Sequence, residues 1–333
     1  MLRRLLVASI AAAVLIAHAH AQSSAAAAHQ AAAEKAAGPE WAYLVTRVCS
    51  RDAARTEEAA QRGAPGRAGG APAQARGAAP VRQAPPRERW YAEPMKVFDN
   101  LYFIGTNEHS SWAITTSAGI IVIDALYDYA VVDAVEGGMK KLGLDPADVK
   151  YLIVTHGHGD HSGGTRYLQD KYRPRVVMGA KDWDLVARSS DPRPTRDIEA
   201  TDGQKITLGD TTIDVFVTPG HTPTTLSLMF QVKDQGVPHM VAEWGGTSLS
   251  ATSPLELVEG YIQSAVRFHT LVTENTVDVV LTNHTAHNRT NEKLVALRTR
   301  KPGEPHPFVV GPDSVHRWMT VFEECGRKML AER

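Results

Sequence analysis

The sequence predicts an α/β domain with mixed sheets that begins near Trp90 and takes up the rest of the 333-residue chain. Short runs of β-branched and aromatic residues alternate with longer stretches of helical periodicity, which is the pattern of sheets and helices packed in layers. Three histidine-containing turns also follow apolar runs directly. We therefore expect these turns to converge on one edge of the sheets.

The strands are predicted from short apolar runs bounded by turn-forming residues. In chain order they are MKVFDNLYFIG, SWAITTS, AGIIVIDAL, YLIVT, RVVMG, KITLG, TTIDVFVTPG, TLSLMFQV, HMVAEW and VDVVLT. Helices are predicted from Asp128 to Leu142, just after the histidine-rich motif, from Ala180, from Pro254 to Val272, and twice more toward the C-terminus. Apolar residues at three-to-four residue spacing mark the apolar face of the last helix: Val315, Trp318, Phe322, Cys325 and Met329.

The first 21 residues have the three parts of a secretory signal peptide. Arg3 and Arg4 precede an apolar run from Leu5 to Ala17, and the small-residue sequence Ala19-His20-Ala21 follows. The apolar run is short for a membrane span, and an uncleaved anchor is the alternative. We predict cleavage after Ala21 and a periplasmic or secreted mature protein.

Residues 22–89 are predicted to form a largely disordered arm and linker. Residues 22 to about 40 are rich in alanine, and residues 51–89 contain Ala, Arg, Gly and Pro with almost no large apolar side chains to bury. The net charge of the chain is −1, with 36 Lys+Arg against 37 Asp+Glu. This balance predicts neither a nucleic-acid partner nor, after signal cleavage, attachment to a membrane.

The two cysteines of the chain, Cys49 and Cys325, leave two alternatives open. In an oxidising compartment they can form one disulfide that ties the N-terminal arm to the last helix. The other possibility is two unpaired thiols, because a sequence contains no distance between them.

The motif VTHGHGDHSGG, residues 154–164, predicts a metal site. His156, His158, Asp160 and His161 follow the strand YLIVT directly, and Gly157 and Gly159 leave space around them. Imidazole and carboxylate groups are good zinc ligands, and the charge of the metal compensates for burial of the carboxylate. A histidine-rich surface loop is the less favoured alternative.

Two more strand-end histidines indicate a second ion. His221 lies in VTPGHTP, and His284 lies in VVLTNHTAHN. His287 is a poorer candidate because it lies past the strand end. The remaining histidines of the folded part lack this context and are interpreted as structural or exposed: His109, His239, His269, His306 and His316.

The sequence HGHGDH resembles the HxHxDH signature of the metallo-β-lactamase superfamily. The order of IIVIDAL, the motif, TPGHTP and a strand-end histidine is also similar to that family, over roughly residues 94–298. The resemblance implies a four-layer αβ/βα sandwich with its metal site at one edge. Within the superfamily, the chain looks most like the third subclass, B3, which uses no cysteine ligand.

The resemblance also implies the ligand set and the chemistry. It assigns His156, His158 and His221 to the first of two zinc ions, and Asp160, His161 and His284 to the second. Asp124 matches the buried aspartate that supports the ligand loop. A hydroxide that bridges the ions, oriented by Asp160, would attack the carbonyl carbon of a small-molecule substrate.

The loop after HMVAEW bears on the substrate. Ser248 and Ser250 resemble the serines that bind the substrate carboxylate in the third subclass. The alternative is that they belong to an ordinary polar loop with the same residue types. Many other hydrolases of the superfamily have a metal-bridging aspartate in this region. Here the residues before Ser248 are Trp244-Gly245-Gly246-Thr247, and Glu243 is the nearby carboxylate, which we interpret as facing solvent.

We therefore predict a secreted, dinuclear zinc β-lactamase of B3 type. A hydrolase of the same fold that acts on lactones or other esters is the alternative, favoured by the Trp-Gly-Gly-Thr departure. A non-catalytic zinc-binding module is a third possibility. Six ligand residues argue against it, because four close a structural zinc site.

Overall fold

Two mixed β-sheets pack face to face in the folded part of the chain, and helices cover both outer faces. The computed structural model describes residues 2–50, 84–188, 193–250 and 252–333, and of residues 2–21 it describes the backbone alone. Both sheets lie in the region from Trp90 onward that the sequence predicts to be folded.

The first sheet has seven strands in chain order. They are β1 (Met95–Lys96), β2 (Leu101–Phe103), β3 (Trp112–Thr116), β4 (Gly119–Ile123), β5 (Val149–Ile153), β6 (Arg175–Gly179) and β7 (Ile198–Ala200). Strands β1 to β4 pair antiparallel, whereas β4 to β7 pair parallel. The β5 strand, which leads into the histidine-rich motif, is therefore internal.

The second sheet has five strands in the order β12-β11-β10-β9-β8. They are β8 (Gln204–Leu208), β9 (Thr211–Val217), β10 (Leu226–Asp234), β11 (Val237–Trp244) and β12 (Val279–Thr282). The pairs are antiparallel except β11–β12, which is parallel. The ends of β9 and β12 lead into the loops that hold His221 and His284.

The helices are α1 (Leu2–Val48), α2 (Arg87–Trp90), α3 (Gly137–Lys141), α4 (Gly159–Ser162), α5 (Thr165–Tyr172), α6 (Ala180–Ala187), α7 (Leu255–Glu274), α8 (Thr290–Thr299) and α9 (Pro312–Ala331). A π-helical turn, Val131–Glu136, leads into α3. The helices predicted from Asp128, Ala180 and Pro254 begin within a few residues of observed helical elements, whereas the short strand β7 is not predicted from the sequence. None of the described helices has the length and apolar content that crossing a bilayer requires.

The buried apolar residues form three layers of packing, which confirms the predicted four-layer αβ/βα sandwich. Between the sheets lie residues such as Phe103, Trp112 and Phe230. Helices α3, α5 and α6 cover the outer face of the first sheet. Helices α1, α7 and α9 cover the outer face of the second sheet.

The prediction that residues 22–89 are largely disordered is wrong for residues 22–48. They belong to α1, which bends at Gly38 (φ 54°) and Pro39, and one face of α1 packs against α9. Trp41 and Leu44 are almost fully buried there, and a large apolar side chain contributes about 1.5–3 kcal/mol on burial. The alanines that suggested disorder let the two helices approach closely. Residues 51–83 lie outside the described part.

A disulfide joins Cys49 to Cys325, with a Cα–Cα distance of 4.6 Å. It connects the end of α1 to α9, so of the two alternatives left open by the sequence the structure shows the cross-link. Trp41 Nε1 also donates a 2.9 Å hydrogen bond to Ser314 Oγ at the start of α9. The N-terminal helix is therefore part of the folded domain.

Candidate metal centre

Three loops that follow strands meet at one end of the sandwich. The histidine-rich motif follows β5, His221 lies between β9 and β10, and His284 follows β12. The backbone amide of Leu226 donates a 2.8 Å hydrogen bond to the Thr155 carbonyl and so joins the first two loops. The structure brings all six sequence-predicted ligand residues close together, in overlapping groups of three that also include His109. We describe the six as two adjoining clusters, on the distances between their ligand atoms.

The first group, the three-histidine cluster, consists of His156, His158 and His221. Nε2 of His221 lies 3.1 Å from Nδ1 of His158 and 3.1 Å from Nε2 of His156. A tetrahedral zinc ion with bonds of about 2.0–2.1 Å holds its ligand atoms about 3.3–3.4 Å apart, so only a slight expansion is needed.

Both histidines of the motif in this cluster are in the form that binds metals. Burial, followed by the neighbouring imidazoles of His161 and His221, holds the pKa of His156 well below its usual range. Burial and then His221 lower the pKa of His158 to about 3. These imidazoles are neutral at pH 7, and a neutral ring nitrogen is what a metal ion needs.

The second group, the aspartate cluster, consists of Asp160, His161 and His284. Oδ2 of Asp160 lies 3.2 Å from Nε2 of His161 and 3.6 Å from Nε2 of His284, and the two Nε2 atoms are 3.2 Å apart. Asp160 is 1% exposed, and neither of its carboxylate oxygens has a hydrogen-bond partner. A buried carboxylate in this situation requires a cation.

The proton of His161 can meet that requirement when no metal is bound. Burial disfavours the charged ring, but the carboxylates of Asp160 and Asp124 outweigh it and raise the pKa of His161 to about 10. A divalent cation at the same point would displace this proton, as metal binding generally does at protonated ligands. The residues present therefore fit a metal ion in both clusters.

His109 lies next to the aspartate cluster. The interpretation of His109 as a structural or exposed residue, away from the site, is therefore wrong. His109 is 8% exposed, and its Nε2 lies 3.4 Å from Oδ2 of Asp160. Its ring centroid is 4.9 Å from that of His284. The sequence contains no motif around His109 that would have predicted this, because the approach depends on how two loops pair.

Asp124 lies behind the aspartate cluster, where the family resemblance puts a supporting carboxylate. Its Oδ1 accepts a 2.7 Å hydrogen bond from the Thr155 amide, and its Oδ2 accepts one of 2.9 Å from Thr155 Oγ1. Nδ1 of His161 lies 2.8 Å from Oδ2 of Asp124. Asp124 thus fixes both the start of the ligand loop and one of its imidazoles.

Asp182 in α6 supports the three-histidine cluster in a similar way, and sequence reasoning missed it. Its Oδ1 accepts a 2.8 Å bond from the Gly157 amide, and its Oδ2 accepts bonds of 2.9 Å from Thr222 Oγ1 and 2.6 Å from Thr224 Oγ1. It therefore joins the motif to the loop of His221. A side chain at Gly157 would come within 2.8 Å of the Asp182 carbonyl, so this glycine is needed for helix packing as well.

Glu243 is fully buried, so the interpretation that it faces solvent is wrong. It lies near the end of β11 on the face shared with Val241, which packs between the two sheets. Neither carboxylate oxygen has a hydrogen-bond partner, and burial followed by the Asp124 carboxylate raises the pKa of Glu243 well above its usual range. Glu243 belongs to neither cluster.

The two serines that were predicted to bind substrate lie in the loop after β11. The carbonyl oxygen of Ser248 lies 2.7 Å from Nδ1 of His221, so the backbone of this residue orients a ligand ring. Oγ of Ser250 lies 2.9 Å from Oγ1 of Thr252. Their predicted contact with the substrate carboxylate stays a prediction.

Other histidines have partners away from the two clusters, in agreement with their structural interpretation. Nδ1 of His239 lies 2.6 Å from Asp278 Oδ2, and Nε2 of His306 lies 2.8 Å from the Val97 carbonyl oxygen. His269 contacts both Glu323 and His316. His287, the poorer ligand candidate, lies next to the aspartate cluster instead, buried beside His284 with ring centroids 5.9 Å apart.

A cavity of about 650 Å³ opens onto the aspartate cluster. The buried residues Asp160, His109 and His284 line it, and α1 contributes Tyr43 and Arg47 to its wall. Its remaining lining residues are Asn107, Glu108, Tyr127, Thr285, Ala286, Arg289, Asn291 and Glu292. The N-terminal helix therefore borders the space that a small molecule would enter.

The family model described as the metallo-beta-lactamase superfamily matches residues 104–234. A hydroxyacylglutathione hydrolase of Rhodopseudomonas palustris is 36% identical over 120 residues, which are 35% of this chain and 44% of that protein. A hydroxyacylglutathione hydrolase of Nostoc punctiforme is 30% identical over 103 residues, 30% of this chain and 38% of that protein. The chain thus spans less than half the length of these relatives.

Solved structures of similar fold include B3 enzymes. A subclass B3 metallo-beta-lactamase of Bradyrhizobium japonicum is 26% identical, with a TM-score of 0.62, and the match covers 70% of this chain and 92% of that one. A class B3 di-zinc metallo-beta-lactamase from an Alaskan soil metagenome is 20% identical, with a TM-score of 0.62 and coverage of 74% and 96%. The latter match supports the fold alone.

Proposed function

We propose that this chain is a B3-type β-lactamase with two zinc ions per chain. The proposal is supported by the match of residues 104–234 to the metallo-beta-lactamase superfamily model and by the candidate His/Asp metal sites. The observation that carries the proposal is the ligand arrangement. Two adjoining clusters contain five histidines and Asp160, and among the described residues of these clusters there is neither a cysteine nor a second carboxylate.

Bound zinc would supply a water of lowered pKa and a polarising charge for the amide carbonyl. The side chains of the chain itself do the positioning. The three-histidine cluster and the aspartate cluster would each hold one ion, and Asp160 lies between them and would orient the attacking water. Asp124 and Asp182 hold the ligand loops in place through the hydrogen bonds described above.

The cavity is large enough for a small bicyclic substrate, since ligand sites have volumes of about 300–1,000 Å³. Its lining includes the polar side chains of Asp160 and His109 and the aromatic rings of Tyr43 and Tyr127. The proposal keeps Ser248 and Ser250 as partners of the substrate carboxylate. Support for this is the contact between the Ser248 carbonyl and His221, and the place of Ser250 two residues further along the same loop.

A location in the periplasm or outside the cell is also part of the proposal. It is supported by the signal-peptide pattern of residues 1–21 and by the Cys49–Cys325 disulfide, because disulfides persist in oxidising compartments. N-terminal sequencing of the protein from the periplasmic fraction would test cleavage after Ala21.

The proposal is tested by hydrolysis of a chromogenic cephalosporin and a carbapenem by the purified, zinc-loaded protein, with and without a chelator. The expected result is turnover of both that a chelator abolishes and added zinc restores. The His239→Ala variant, which changes a histidine outside both clusters, is the matched control and should stay active. Zinc-loaded protein that opens neither substrate would overturn the β-lactamase assignment.

The second candidate is an ester or thioester hydrolase of the same fold. It is favoured by the sequence similarity to hydroxyacylglutathione hydrolases and by the Trp244-Gly245-Gly246-Thr247 segment. An acyl-glutathione thioester and an acyl lactone belong in the same assay. Chelator-sensitive turnover of either, without turnover of any β-lactam, would favour this candidate.

A further inference from the structure

We propose that His109 is a fourth protein ligand of the ion in the aspartate cluster, which closes that site with side chains from three loops. This inference rests on the proposed metal centre and deepens it. It assigns different roles to the two ions, because the three-histidine cluster keeps an open ligand position and the aspartate cluster does not.

The backbone holds His109 in place before any metal binds. His109 forms an isolated antiparallel bridge with His284, and the amide of Ser110 donates a 2.9 Å hydrogen bond to the Asn283 carbonyl. The amide of His109 itself donates a 3.0 Å bond to Thr106 Oγ1. The loop between β2 and β3 is therefore fixed to the loop that carries His284, so that little ordering entropy remains to be lost on metal binding.

The distances fit shared ligation better than a simple hydrogen bond. A charge-assisted bond between His109 and Asp160 would be about 2.7–2.9 Å long, whereas the observed Nε2–Oδ2 distance is 3.4 Å. The distances from Oδ2 of Asp160 to Nε2 of His161 and His284 are 3.2 and 3.6 Å. Four ligands around a tetrahedral zinc ion are about 3.3–3.4 Å apart, and the three separations from Asp160 Oδ2 lie close to that value.

The surroundings support the same assignment. His109 is 8% exposed and borders the cavity, and the ligand atoms of His109, Asp160 and His284 all lie within 4.8 Å of one another. Both oxygens of the buried Asp160 carboxylate lack a hydrogen-bond partner. A cation shared with His109 would satisfy that carboxylate.

A consequence follows for the two ions. Structural zinc sites are closed by four protein ligands, whereas catalytic sites have three and an open position. With His109, the aspartate cluster resembles the closed kind, and the three-histidine cluster resembles the open kind. The ion in the aspartate cluster should therefore be the last to leave during chelation.

The experiment measures the number of zinc ions per chain by elemental mass spectrometry. The full-length protein is first equilibrated, without substrate, with a series of concentrations of a competing chelator. We expect His109→Ala to lose affinity for one of two ions by about 100-fold or more, since even residues that only support a ligand cost about 10–100-fold. His239→Ala, which removes a histidine paired with Asp278, should bind both ions normally.

Two further measurements keep the test decisive. His109→Gln, a smaller change, guards against misfolding of the alanine variant, and circular dichroism checks the fold of both. In the cobalt-substituted protein, the wild type should show one more hyperfine-shifted imidazole N–H resonance in proton NMR than either variant. Wild-type affinities for both ions in the two variants, with no resonance lost, would overturn the assignment of His109.

These results are separable from the proposed function. Loss of one ion on substitution of His109 in a protein that opens no β-lactam would uphold the ligand and reject the substrate. Normal metal content in the His109 variants of a protein that does open β-lactams would uphold the substrate and reject His109 as a ligand.

Discussion

The carboxylate of Asp124 lies 2.8 Å from Nδ1 of His161 and accepts its N–H, while Nε2 of the same ring lies 3.2 Å from Asp160. This carboxylate–histidine–ligand arrangement fixes the tautomer and orientation of the ring and makes its free nitrogen more basic. Asp124 also accepts two hydrogen bonds from Thr155. One buried side chain therefore sets the geometry of the aspartate cluster.

Replacing Asp124 by alanine should weaken zinc binding in the aspartate cluster by about 10–100-fold, because His161 loses the partner that orients it. A competitive chelator titration measures the change. Asp278→Ala is the matched control, since Asp278 also pairs with a histidine, His239, outside the site. Unchanged affinity for both ions in Asp124→Ala would show that Asp124 does not support the centre.

Glu243→Gln should keep both zinc ions and turnover, because burial raises the pKa of Glu243 well above its usual range and so favours the uncharged acid, and glutamine has the same shape. The wild-type group stabilises the fold fully below the unfolded pKa of about 4.5 and loses that contribution as pH rises. The variant should therefore gain in relative stability from pH 4.5 to 8 in denaturant unfolding. Loss of a zinc ion would instead indicate a bridging role for Glu243.

Glu136 should produce the opposite pH dependence. Burial opposes its ionisation, but Lys140, Lys171 and Tyr167 outweigh burial and lower the pKa of Glu136 to about 2. Its contribution is fully present above the unfolded pKa of about 4.5 and is lost as pH falls toward 2, by roughly 2–3 kcal/mol in total. The free energies of unfolding of wild type and Glu136→Gln, measured at a series of pH values, should therefore converge as the pH falls over this range. A difference that does not change with pH would contradict the ionised state of Glu136 in the folded protein.

The Cys49–Cys325 disulfide should stabilise the domain by about 2–5 kcal/mol, because it closes a chain segment with a sequence separation of 276. The Cys49→Ser/Cys325→Ser double variant should unfold at lower denaturant concentration, and reduced wild type should match it. Equal stability of oxidised and reduced protein would contradict the contribution of this disulfide.

The same double variant should also have altered kinetics. Tyr43 and Arg47 of α1 border the cavity, so the KM of the double variant should rise more than its kcat falls.

Much of the site could be predicted from the sequence because its ligands follow strands. His156, His221 and His284 each come directly after an apolar run, and strand ends on one side of a sandwich lie close together. Periodicity also predicts the order of strands and helices after Trp90, apart from the short strand β7. The resemblance of HGHGDH to a known motif then supplied the pairing of ligands.

The parts that the sequence did not reveal depend on contacts between distant segments. His109 approaches the aspartate cluster because its loop pairs with residues near 284, and Asp182 reaches Gly157 from a separate helix. Glu243 is at a strand end, where a carboxylate often faces solvent, yet it points between the sheets. The alanine-rich helix α1 folds because α9 offers it an apolar face, which composition alone does not show.

The most direct test of the central claim is anomalous diffraction at the zinc edge from crystals of the zinc-loaded protein. The account predicts two anomalous peaks per chain. One should lie within bonding distance of His156, His158 and His221, and the other should lie within bonding distance of Asp160, His161, His284 and His109. A single peak, or peaks away from these side chains, would contradict a two-ion hydrolase centre.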